Sequence, residues 1–180
     1  MDFAEIGRMR NCHPYDAVLD ILLEEGKDMM ACFWTSRSFR DSDVDLCLSQ
    51  AECAVISDTV ATANEGILKD HLGSLSGYGW AARFLQYYVR DREILSLAEG
   101  LAKLTSVPAK RLGLKDRGYL KTGFHADICV FDKVNIASNV TAKTPRRYAS
   151  GICHVLVNGQ FSMRDGTRTP VNAGQVIREF

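Results

Sequence analysis

The run Cys53-Ala54-Val55-Ile56-Ser57-Asp58 constrains the chain most. It is a short uncharged stretch, bounded by Glu52 and by a Thr/Ala/Asn-rich loop, that stops abruptly on a carboxylate. Such a run has the pattern of a strand buried on both faces of a parallel sheet. In open and closed α/β sheets the ligand site lies beyond the carboxyl ends of the strands, so Asp58 is placed for chemistry. An Asp in that position also serves as an N-cap or a turn former, and the spacing alone does not separate the two roles.

The segments around it repeat one grammar. Pro14 occupies a position that a first helical turn tolerates, and Ala17, Val18, Ile21, Leu22 and Leu23 follow at helical spacing up to Gly26. Met29 to Trp34 is an uncharged run of strand length. Ser42 is placed to cap a helix carrying Val44, Leu46, Cys47 and Leu48, with Asp43 and Asp45 near its positive end. The order helix, strand, helix, strand predicts parallel strands joined by crossover helices.

After Asp58 the chain enters a loop running from Thr59 to Gly79, rich in Gly, Ser, Ala and Asn, and long loops at that end of a strand usually line or close a site. His71 lies in it. A lone loop histidine is commonly just solvated; the functional reading is substrate binding or loop ordering. Tyr78 to Arg90 resumes a helical pattern whose Trp80, Phe84, Tyr87 and Tyr88 form an aromatic stripe suited to core packing. Ser96 and Glu99 make a capping box for a helix through Leu104, and Pro108 opens a short helix that Gly113 ends.

Beyond Leu114 strands and turns take over. Lys121-Thr122-Gly123 reads as a turn and Ala126 to Phe131 as a strand. Asn158-Gly159 joins Val155-Leu156-Val157 to Gln160-Phe161-Ser162-Met163 as a hairpin with a type I′ turn. A boundary near Lys115 follows, with an α/β part over 1–115 and a β part over 116–180.

Bulk properties exclude several classes. A content of 46% hydrophobic and 24% charged residues describes a globular chain. Lys plus Arg equals Asp plus Glu at 22 each, so the field that nucleic-acid binding requires is absent. The basic residues Lys103, Lys110, Arg111, Lys115, Arg117 and Lys121 read as a solvated surface. No stretch approaches the ~20 apolar residues of a membrane span, and the first residues do not resemble a signal peptide. The six cysteines show no CxxC pair and read as reduced core residues of a cytoplasmic protein.

Taken together, Val55–Asp58, Tyr78-Gly79-Trp80 leading to Tyr88–Asp91, Leu104–Gly118, Gly123–Asp132 and Gly151–Gly159 resemble the C-terminal part of the D-aminoacylase family. These are the N-acyl-D-amino-acid deacylases of the amidohydrolase superfamily. The resemblance covers essentially the whole chain. It implies the C-terminal part of a (β/α)8 barrel, its last two or so strand-helix units, followed by strands of a small β-sandwich. It also implies a metal-dependent hydrolase that cleaves the amide bond of a small N-acyl-D-amino acid through a zinc-activated water.

Asp58 matches the carboxylate that takes the proton of that water, passes it to the leaving nitrogen and serves as a secondary metal ligand. The departure from the family is equally plain. Its principal ligands, a His-x-His pair among them, have no counterpart in His13, His71, His125 and His154, so the zinc would be bound mainly by residues absent from this chain. The isolated chain is then expected to be inactive, with Phe33, Trp34, Phe84 and Tyr88 partly exposed or covered by a complementing N-terminal segment or a second copy. A truncated gene product, an expressed fragment and a subunit completed in trans all fit. Two alternatives stay open: another amidohydrolase branch, dihydroorotase- or hydantoinase-like, and a non-catalytic interaction module derived from the fold.

Overall fold

The computed structural model describes residues 2–31, 38–59, 62, 65–69 and 76–178. Contacts divide the chain into Met1–Ser38 and Phe39–Phe180. The first unit holds α1 (Phe3–Arg10) and α2 (Pro14–Glu25). Asp2 and Glu5 cap α1 reciprocally at 2.8 Å each. His13 caps α2: its Nδ1 accepts the Tyr15 amide at 3.3 Å, one residue before the predicted Pro14 start. Arg10 grips Glu24 with two bonds of 2.6 and 2.8 Å, tying the end of one helix to the end of the other.

Gly26, at φ +51°, ends α2 as its position in the sequence predicts. The chain then closes into a 3-10 turn over Gly26–Ala31. Over Met29–Ala31 the expected strand is replaced by this turn; the rest of it, Cys32, Phe33 and Trp34, lies outside the described residues.

The second unit is organised by one helix. It begins as α4 (Trp80–Phe84) and widens into a π turn over Leu85–Asp91. Phe84, Leu85 and Val89 are buried there with Leu48 of α3 (Asp41–Ser49), Leu95 and Ile136. Each such side chain contributes roughly 1.5–3 kcal/mol through removal of apolar surface from water. Phe84, expected to be partly exposed, is only 4% exposed because α3 and the Ile136 loop cover it; Tyr88 is half-buried.

Polar bonds close the same seam. Arg92 holds Asp45 at 2.8 and 2.6 Å, and Arg90 donates to the carbonyls of Val134 and Ile136 at 2.7 Å each. The start of α3 differs from expectation in one detail: Asp43 accepts the Arg40 amide at 3.2 Å, so the cap lies just ahead of Ser42.

The predicted Ser96/Glu99 capping box opens α5 (Leu97–Leu104), with bonds of 2.8 and 3.3 Å. After α6 (Ser106–Arg111) a four-stranded antiparallel meander follows: β1 (Ile128–Phe131), β2 (Ile152–Val157), β3 (Gln160–Arg164) and β4 (Thr167–Arg168). Asn158 and Gly159, at φ +48° and +77°, form the expected type I′ turn and pair Val157 with Gln160. Asp165-Gly166 repeats the device between β3 and β4.

No parallel ladder occurs among the described residues, and Cys53–Ser57 has no strand partner. Its Val55 amide donates instead to the Lys103 carbonyl of α5 at 3.0 Å. The cysteines also depart from expectation. Cys47 and Cys129 are exposed, Cys12, Cys53 and Cys153 only partly covered, and all five are free thiols.

Gly151, at φ +82°, lies where an added Cβ would come 2.6 Å from the Ile136 Cα. Its carbonyl accepts the Asp132 amide at 2.8 Å, so the backbone has no room to retreat. Gly151→Ala combines left-handed strain with overpacking and is expected to cost about 2–5 kcal/mol. A urea midpoint equal to that of the parent would refute the packing described here.

Asp127 accepts the Asn158 amide at 2.8 Å and pairs with Arg117. Burial pushes this carboxyl up, but the bonds from Asn158 and Arg117 outweigh it and hold the group below its ordinary range. A depressed folded-state pKa stabilises the fold above the ordinary aspartate value, about pH 4, and that stabilisation fades as pH falls through the folded value. The gap in urea midpoint between the parent and Asp127→Asn is thus expected at pH 7 and should shrink towards pH 3. A gap independent of pH would contradict this reading.

Candidate functional site

Asp58 terminates a segment that is held from one side only. Lys103 of α5 is 3% exposed, and its Nζ donates to the carbonyls of Gln50 at 2.5 Å and Cys53 at 3.3 Å. Arg111 of α6 adds two bonds, of 3.1 and 2.7 Å, to the Glu52 carbonyl. Of the six basic residues expected to form a solvated surface, Lys110, Arg111, Lys115 and Lys121 are exposed, whereas Lys103 is buried under the segment and Arg117 is engaged with Asp127 and Asn158.

On the other side Ile56 is 77% exposed and Asp58 itself is exposed. Among the described residues no side chain pairs with the Asp58 carboxylate.

Ile56 and Ser57 form part of the wall of a cleft of about 420 Å³, whose other walls are Val44 and Leu48 of α3 and Trp80, Phe84 and Tyr88 of the organising helix. The lining is mostly apolar. Arg83 supplies a cation, stacked 4.3 Å over the Tyr87 ring, and burial pushes the Tyr88 phenol above its ordinary range. A larger cleft, about 650 Å³, lies on the opposite flank of the same helix between Leu85, Val89, Leu95, Phe131 and Ile136. It shares no residue with the Asp58 segment, and its Arg90 is spent on backbone carbonyls, so size does not make it the site.

Of the other predicted site residues, His71 lies outside the described residues. The remaining histidines have local structural tasks. His13 caps α2, His125 lies 3.3 Å from Asp116, and His154 accepts the Asp165 amide at 3.1 Å beside the Phe161 ring. Among the described residues no three His, Cys, Asp or Glu side chains gather where they could hold a metal ion. The donor set therefore does not fit a zinc centre. Lys103 escaped the sequence reading because buried lysines are rare, although the helical period places it three residues from the buried Gly100, on the inward face of α5.

Comparison with known proteins gives this geometry its context. Residues 59–163 match the amidohydrolase family. An N-acyl-D-glutamate deacylase of Alcaligenes xylosoxydans xylosoxydans is 37% identical over 110 residues, which is 61% of this chain and 21% of that protein. The chain thus spans about a fifth of the length of this curated relative.

A solved D-aminoacylase with a binuclear metal centre superposes with a TM-score of 0.72 at 25% identity, covering 99% of this chain and 35% of that one. An N-acyl-D-glutamate deacylase from Bordetella bronchiseptica, complexed with zinc and a phosphonate inhibitor that mimics the tetrahedral intermediate, superposes at 0.64 with 24% identity, over 92% of this chain and 33% of that one. Unlike the sheet edge and the helix caps, which many folds share, the family match runs from the residue after Asp58 through α4, α5, α6 and β1 into β3, and on that extent the chain belongs to the amidohydrolase family.

Proposed function

We propose that this chain supplies the proton-handling carboxylate and part of the wall around it to an N-acyl-D-amino-acid deacylase. The observation that carries the proposal is Asp58: an exposed carboxylate with no partner among the described residues, at the end of a clamped segment beside an apolar cleft. Hydrolysis of an amide needs a base for the attacking water and an acid for the departing nitrogen, and one carboxylate can serve both steps in turn. Asp58 accepts a proton from the water as its oxygen bonds to the acyl carbon. It then delivers that proton to the nitrogen as the C–N bond breaks, which frees the carboxylic acid and the D-amino acid.

Zinc chemistry, which polarises carbonyls and acidifies water, is supplied by groups beyond the residues of this chain. His71 belongs to the loop that contacts substrate or orders around it. In this reading the barrel part ends near Lys115, residues 116–180 contribute strands to a small sandwich, and free thiols fit a reducing compartment such as the cytoplasm.

The test is complementation. Supplying the part of a D-aminoacylase relative that the chain does not cover should give zinc-dependent release of D-amino acids, while the chain alone should release none. Asp58→Asn should then lower kcat by roughly 10²–10⁴-fold. Because the carboxylate is exposed and unpartnered, the same substitution should leave the chain's melting midpoint within an equivalent of about 0.5 kcal/mol. Retained turnover in the variant would remove Asp58 from its role. Preference for a cyclic ureide over every N-acyl-D-amino acid would move the protein to the dihydroorotase- and hydantoinase-like branch.

A further inference from the structure

We infer that Lys103 is the positioning residue of the Asp58 carboxylate, an inference that rests on the function proposed above. The segment from Gln50 to Val55 is fixed at four backbone groups by one helical pair. The Lys103 ammonium binds the Gln50 and Cys53 carbonyls, the Lys103 carbonyl receives the Val55 amide, and Arg111 takes the Glu52 carbonyl. Asp58 is the third residue after Val55, a reach of about 10 Å at most. With Ile56 exposed and Asp58 unpartnered, direction is imparted to the carboxylate from this end of the segment.

The choice of residue argues for position over filling. Lys103 is the one buried charged side chain among the described residues; it forms no ion pair there, Glu99 one turn earlier on α5 acting on it only at longer range. A buried ammonium is costly, and an apolar side chain of similar length would fill the same space without that cost. What the ammonium does, and a methionine cannot, is bind two carbonyls at once and hold the chain between them at a fixed register. Gln50 also caps the C-terminus of α3, whose negative end favours a cation at that point.

The experiment compares Lys103→Met with Leu95→Ala, a core truncation distant from the segment in sequence. Both lower the melting midpoint. Lys103→Met alone is expected to speed amide exchange at Val55 by at least about tenfold beyond its global effect. In the complemented enzyme it should lower kcat on the order of 10²-fold with KM unchanged. Arg111→Met removes two bonds from an exposed side chain and should shift the same readings in the same direction by less, which keeps the test open if Lys103→Met does not fold.

Exchange that rises uniformly in both core variants, or a Lys103→Met enzyme with parental kcat, overturns the inference. If the complemented parent shows no deacylase activity, the function proposed above fails on that result, and exchange at Val55 still decides whether Lys103 holds the segment.

Discussion

The packing of the helix from Trp80 to Asp91 is the constraint on which the second unit depends. Trp80, Phe84 and Tyr88 recur at i+4 spacing along one flank, and Leu85 and Val89 along the other. A single stripe would pack on one neighbour; two stripes require partners on both sides, supplied by α3 with the Asp58 segment and by α5 with the loop after β1. The π turn widens the helix where the second stripe begins, and such turns are frequent at functional sites. Gln86 accepts the Ser138 amide and Arg90 binds Val134 and Ile136, so the helix also fixes the loop that leads into the sheet. The helical part and the sheet share one apolar cluster as a result.

The placement of charge follows from that arrangement. Asp45, Asp127 and Asp132 all have partners within hydrogen-bond distance, and the latter two are held below the ordinary carboxylate range by those bonds. Carboxylates used in this way are committed to the fold. Asp58 is exposed next to Ser57 of the apolar cleft and has no partner among the described residues. The cations show the converse pattern. Lys103 and Arg111 bind backbone carbonyls instead of acids, and Arg90 binds two carbonyls besides pairing with Asp91, so these cations fix the course of the chain without neutralising Asp58.

What was legible in the sequence was set by the range of the forces involved. The Ser96/Glu99 box, the Pro14 start and Gly26 stop of α2, and the Asn158-Gly159 hairpin all depend on residues within a few positions of one another, and the structure carries them as read. The expected strands are absent over Met29–Ala31 and Cys53–Ser57 for the opposite reason. An apolar run becomes a strand only if a ladder partner is beside it, and periodicity cannot report the partner. Without one, Met29–Ala31 closed into a turn, and Cys53–Ser57 took its anchor from α5.

Lys103 was hidden by a similar non-locality. Its residue type points to solvent, its helical position points inward, and the deciding fact is a pair of carbonyls roughly fifty residues earlier in the chain. Asp58 could be singled out because a lone carboxylate after an apolar run is visible in one dimension, whereas the groups that anchor the segment before it are brought together only by the fold. A site of the kind proposed is therefore read from sequence through its chemistry first and its scaffold last.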